Sequence, residues 1–205
     1  MARFSSASNL MRPLVVPLAL LPLAVVTWAQ QPIGEGWPTY GGDPGGQRYS
    51  SATQINEHNV AQLQLAWTAH TGALDESRAT NHNASFEATP VLFKGTLYLS
   101  TPFAQVLALD PATGARKWIY EPWFDKTYDG GLTTSRGVTA WSSKRETGPC
   151  SNRIFVGTLN AKLIALDAQT GRLCAGFGGG GVVDLTRGVR PGNLQTYARR
   201  YHRSR

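Results

Sequence analysis

The sequence predicts an all-β fold, a piece of a β-propeller holding about two blades plus one outer strand. Three observations carry that reading. A string recurs: Val106-Leu-Ala-Leu-Asp-Pro-Ala-Thr-Gly-Ala-Arg-Lys-Trp118 returns as Leu163-Ile-Ala-Leu-Asp-Ala-Gln-Thr-Gly-Arg-Leu-Cys174, with Asp110 matching Asp167, 57 residues on, and Gly114 matching Gly171. Around these copies lie short alternating apolar runs with Gly turns, and no stretch sustains a helical period. Finally, the 205 residues hold too few such units to close a ring, which takes roughly four to eight blades. The chain is therefore expected to be a fragment of a longer protein or a truncated gene product.

Residues 1–29 read as a secretory signal: Arg3 and Arg12, then the uncharged run Leu14 to Val26, then small residues at Thr27 and Ala29 before a cut. A membrane anchor is the rival, but Pro13, Pro17 and Pro22 interrupt a stretch slightly short of the ~20 residues a span needs. Leu65-Ala-Trp67-Thr-Ala-His-Thr71-Gly72 is a third, partial copy with its Trp strand but no strand before it. Pro90 to Ser100 reads as two strands around Lys94-Gly95, and Arg153 to Gly157 as one more, joined by Thr158-Leu-Asn-Ala to the second copy. Each full copy reads as strand, tight turn, strand. Asp accepts from backbone amides two residues on, and Gly supplies the positive φ of the exit.

The formal charge of +7 suggests an anionic partner, but it sits at the ends. The signal holds two arginines and Arg199, Arg200, Arg203 and Arg205 are four more; without these six, fourteen basic residues face thirteen acidic ones. The body carries no basic stripe and no nucleic-acid motif, so no nucleic-acid partner is expected. The segment 198–205 reads as out-of-frame or truncated sequence, with a genuine basic tail as the rival. The 41% apolar fraction excludes a disordered chain. Gly176-Phe-Gly-Gly-Gly-Gly181 satisfies a dinucleotide fingerprint on paper, but Val182-Val-Asp-Leu185 reads as a strand where a phosphate site needs a helix. The run is read as a loop.

Two cysteines, Cys150 and Cys174, invite a disulfide in an oxidising compartment. It would close a loop of about 25 residues, worth roughly 3 kcal/mol. Two free buried thiols are the alternative; a metal site lacks further thiols, and the four His show no short ligand spacing.

Several strings then resemble one family. They are Trp37-Pro-Thr-Tyr-Gly-Gly-Asp43, Arg48-Tyr-Ser, Gln54-Ile-Asn, Leu65-Ala-Trp67, Phe86-Glu-Ala-Thr-Pro90, Leu97-Tyr-Leu-Ser-Thr-Pro102, Ala108 to Gly114 and Ser135-Arg-Gly-Val138. In order and spacing they resemble the N-terminal part of the quinoprotein dehydrogenases, periplasmic enzymes that use pyrroloquinoline quinone (PQQ). The resemblance covers roughly residues 35–197, so that 30–197 is expected to be a partial propeller. It implies an eight-bladed propeller whose N-terminal strand completes the last blade. It also implies that Arg136 pairs with a cofactor carboxylate and that Glu87 joins the hydrogen-bond network at the cofactor rim. Arg suits a polycarboxylate because its planar fork grips carboxylate oxygens two at a time.

Where the alcohol-oxidising branch has two adjacent cysteines ahead of this Arg, the sequence has Gly130 and Gly131, and Cys150 and Cys174 fall where the glucose-dehydrogenase-like branch has cysteines. The implied substrate is a glucose-like sugar or an alcohol, and the implied electron acceptor a quinone or cytochrome. The implied location is the periplasm, with association to the inner membrane through the respiratory chain as the alternative. The catalytic base, the Ca²⁺ ligands and the Trp beneath the quinone fall in later blades by the resemblance, so this chain alone is expected not to turn over substrate. A non-catalytic envelope scaffold is the rival reading; it explains the repeats but neither Phe-Glu-Ala-Thr-Pro nor Ser-Arg-Gly-Val.

Overall fold

A computed structural model describes residues 36–80, 83–122, 133–145 and 147–188. The expected signal 1–29, the Gly130-Gly131 pair and the tail 198–205 lie outside the described residues. Two four-stranded antiparallel sheets dominate. The first is built from β2 (Val91–Phe93), β3 (Thr96–Ser100), β4 (Val106–Leu109) and β5 (Arg116–Tyr120), in chain order. The second is built from β7 (Thr139–Ser142), β8 (Asn152–Gly157), β9 (Lys162–Asp167) and β10 (Val182–Asp184), again in chain order. Each is the up-and-down meander of a propeller blade. Ahead of each runs one further strand, β1 (Ala84–Thr89) and β6 (Thr133–Gly137), and these two pair with each other in parallel.

The Lys94-Gly95 dipeptide joins β2 to β3 with φ of 47° and 70°, the left-handed pair a two-residue hairpin needs. Both repeat turns follow one plan. Asp110 Oδ1 accepts from the amides of Ala112 and Thr113 and from the Thr113 hydroxyl, each at 3.0 Å. Asp167 Oδ1 accepts from Gln169 N, Thr170 N and Thr170 Oγ1 at 3.1, 2.9 and 2.9 Å. The turn then exits through Gly114 or Gly171, at φ of 72° and 71°. Each glycine also lies under an indole: a Cβ there would come within 2.5 Å of Trp67 at Gly114 and 2.7 Å of Trp118 at Gly171. Each indole N–H donates into the same turn, from Trp67 Nε1 to Pro111 O and from Trp118 Nε1 to Ala168 O, both at 3.1 Å. One repeat's tryptophan thus caps the next repeat's turn.

The core lies between the two sheets. Val91, Tyr98, Val106 and Ala108 of the first meet Ile154, Val156, Ile164 and Leu166 of the second. Tyr98 Oη donates to Ala168 O at 2.8 Å, the carbonyl that also takes the Trp118 indole, so two polar tips from one blade share one acceptor on the next. The far face of the first sheet, Leu99, Leu107 and Leu109, is covered by Trp67 and Ala69.

Three readings need correction. The stretch Leu65–Thr71 forms no strand. A strand needs a partner ladder for its amides and carbonyls, and none pairs with it among the described residues; the Trp67 contact survives because it needs only the turn. The second copy is not a simple strand, turn, strand. Past Gly171 the chain makes one bridge, Leu173 to Leu166, leaves the sheet through the Gly-rich loop, and returns as β10 against β9. Finally, Ala73–Thr80 is a helix, α1. Asp75 and Glu76 sit in its first turn, where the helix dipole favours acids, but eight residues are too few for a period to show.

Candidate functional site

The parallel pair β1–β6 builds the site. Its register sets Ser85 beside Thr134 and Phe86 beside Ser135. Side chains alternate along a strand, so Thr134 and Arg136 share one face of β6, and Ser85 lies beside Thr134; at Glu87–Ala88 β1 carries an extra residue and its register shifts against β6. The opposite face of β6 turns into the protein: Thr133 and Ser135 are buried, the Thr133 hydroxyl donates to Asn83 O at 3.2 Å, and the Ser135 and Ser100 hydroxyls meet at 2.7 Å. That anchoring aims the other face, with Arg136, outward.

The structure brings the two sequence-predicted residues together. Arg136 Nη2 lies 3.3 Å from Glu87 Oε2, and Ser85 Oγ donates to the other carboxylate oxygen, Oε1, at 3.1 Å. Glu87 stands within β1 itself, and Arg136 within β6. The Arg136 side chain is 83% exposed. An ion pair this open contributes only about 0–1 kcal/mol, so Arg136 is held in place without being consumed and a stronger anion can recruit it. The sequence reading missed Thr134. Its Oγ1 is buried and has no hydrogen-bond partner among the described residues.

Cys150 and Cys174 form a disulfide at the corner of the second blade, with Cα atoms 5.7 Å apart. The Cys150 amide also donates to Asp167 Oδ2 at 2.6 Å. Burial pushes the Asp167 carboxyl up, but the bonds from Cys150, Thr170 and Gln169 outweigh it and hold the group below the usual carboxylate range. The disulfide joins the connection between β7 and β8 to the segment that follows Gly171. No group of three or more His, Cys, Asp or Glu side chains converges to hold a metal ion among the described residues.

Two meander sheets packed against each other, each led by a further strand, are two blades of a propeller. The family model "PQQ: Glucose/ethanol/alcohol dehydrogenase, beta-propeller domain" matches residues 37–202. The chain belongs to this family. It is 38% identical over 162 residues to the glycerol dehydrogenase large subunit of Gluconobacter oxydans (strain 621H), covering 77% of this chain and 21% of that protein. It is 34% identical to quinoprotein glucose dehydrogenase A of Acinetobacter calcoaceticus, covering 73% of this chain and 20% of that one. The crystal structure of quinohemoprotein alcohol dehydrogenase from Comamonas testosteroni superposes with a TM-score of 0.58 at 31% identity, over 76% of this chain and 20% of that chain. The chain thus spans about a fifth of the length of the curated relatives it matches.

The β1–β6 face can be weighed against the quinone cofactor of this family. PQQ presents carboxylates, which call for a fixed cation and for donors. The face offers the open guanidinium of Arg136 and an unspent hydroxyl on Thr134. Glu87 is the one group that would repel a carboxylate, and both its oxygens are already engaged. The residues present fit the group.

Proposed function

We propose that this chain supplies part of the cofactor site of a PQQ-dependent dehydrogenase that oxidises the CH–OH group of a glucose-like sugar or an alcohol. The observation that carries the reading is the meeting of Glu87 and Arg136 on adjacent parallel strands, each leading into its own blade. Arg136 holds a cofactor carboxylate with its planar fork. Glu87 keeps that fork in position through Oε2, and Ser85 keeps Glu87 in position through Oε1. Bound PQQ supplies the two-electron acceptor that side chains lack. The accompanying metal is Ca²⁺, with ligands from elsewhere in the whole protein, and electrons pass to a quinone or cytochrome. Residues 1–29 direct export to the periplasm, where the protein works in solution or beside the inner membrane. Gly130-Gly131 and the two cysteine positions favour the sugar-oxidising branch.

The test is a titration of the ¹⁵N-labelled chain with PQQ, followed by amide chemical shifts, which also register weak binding. Amides of β1 and β6 are expected to move in a saturable way. Arg136→Ala is expected to remove that response while leaving the spectrum of the two sheets unchanged.

A further inference from the structure

The geometry points to a further cofactor-binding residue: we infer that the Thr134 hydroxyl donates a hydrogen bond to the PQQ carboxylate that Arg136 pairs with. The inference rests on the reading above. It starts from an unmet need. Thr134 Oγ1 is buried, yet it has no hydrogen-bond partner among the described residues. A hydroxyl in that position bears its full loss of hydration, and such orphans are uncommon in folded proteins.

The neighbours show why no local partner serves. Across the strand pair stands Ser85, whose hydroxyl is turned to Glu87 Oε1. Two residues on along the same face stands Arg136, a donor only, turned to Glu87 Oε2. The hydroxyls on the other side of the strand, Thr133 and Ser135, are both satisfied, by Asn83 O and by Ser100. Thr134 is thus left as a donor beside a cation, and the group that satisfies both is an anion with two acceptor oxygens. A carboxylate is such an anion. One oxygen takes the guanidinium and the other the hydroxyl, a charge-assisted bond stronger than one between neutral groups.

This assignment makes opposite predictions for the empty and the loaded chain, which a residue with a purely structural role does not. Thr134→Val keeps the shape and removes the hydroxyl. In the PQQ-free chain its thermal midpoint should equal or exceed the wild-type value, since an unpaired polar group has been deleted. In the PQQ titration read by amide shifts, its apparent dissociation constant should rise about tenfold or more. Thr134→Ser, which keeps the hydroxyl, should stay within about threefold of wild type.

A Thr134→Val chain that titrates like wild type, while Arg136→Ala does not respond, would overturn the inference and leave the proposed function standing. A midpoint lowered by Thr134→Val would also overturn it, by showing that the hydroxyl holds the fold. A wild-type chain that gives no response to PQQ would overturn both.

Discussion

Asp110 and Asp167 head two turns of the same design, and the blades around them differ at one corner. In the first blade Lys117, three residues past Gly114, reaches across to the β2–β3 turn and donates to Gly95 O at 3.2 Å and Thr96 Oγ1 at 2.9 Å. In the second blade Cys174, three residues past Gly171, reaches to the corresponding corner and is bonded to Cys150. The two blades therefore tie the same strands together, one with an ammonium and one with a covalent bond. The second blade needs the stronger tie. Its outer strand makes a single bridge before the Gly-rich excursion, whereas β5 continues along β4 from Arg116 to Tyr120. Its repeat also has Ala175 where the first has Trp118. Like local sequence makes like turns, and the corner tie follows how much ladder the outer strand has.

The largest expected effect breaks what the blades share. Gly171→Ala places a Cβ 2.7 Å from the Trp118 indole at a φ of 71°, and Gly114→Ala does the same to Trp67 at 2.5 Å. Each is expected to cost about 3 kcal/mol or more in urea unfolding, from strain and overpacking together. Gly171→Ala should be the worse for the sheet-to-sheet contact, because Trp118 and Tyr98 both bond Ala168 O.

The next effect separates the blades. Reduction of Cys150–Cys174, a loop of sequence separation 24, should lower stability by roughly 3 kcal/mol, read as a drop in thermal midpoint with dithiothreitol. Lys117→Met, its counterpart, should cost only about 1 kcal/mol. Equal losses would break the comparison.

The smallest effect is a pH dependence. Both turn carboxylates are held below their usual range, Asp110 first by the Thr113 hydroxyl and Asp167 by hydrogen bonds that overcome its burial. A carboxyl lowered by folding stabilises the protein at pH values above its unfolded pKa, about 4, and loses that contribution as pH falls through the folded pKa. Stability should therefore decline in acid below about pH 4. Asp167→Asn should flatten that decline more than Asp110→Asn, because only Asp167 also receives the Cys150 amide.

The turns were legible because their cause is local: Asp, Thr and Gly at fixed offsets make the cage without help from the rest of the chain. The Lys94-Gly95 hairpin and the strand after the Gly-rich run were legible for the same reason. The parallel pair was not. Ala84-Ser-Phe-Glu-Ala-Thr and Thr133-Thr-Ser-Arg-Gly carry no clean apolar alternation, and their partners lie about 50 residues apart. The split outer strand was also hidden, because an apolar pattern does not show where a strand leaves its sheet and returns. Within the site, Glu87 and Arg136 came from motifs that resemble the family, while their contact came from the pairing of β1 with β6 and the shift in it at Glu87–Ala88. Thr134 had no sequence signal, since what marks it is a partner it lacks.

We propose that Arg136 and Thr134, braced by Glu87 and Ser85, hold a carboxylate of PQQ. The amide-shift titration of the labelled chain with PQQ addresses it most directly. Saturable shifts confined to β1 and β6, lost in Arg136→Ala, are the expected result. Shifts centred on other strands, or shifts that persist unchanged in Arg136→Ala, would contradict it.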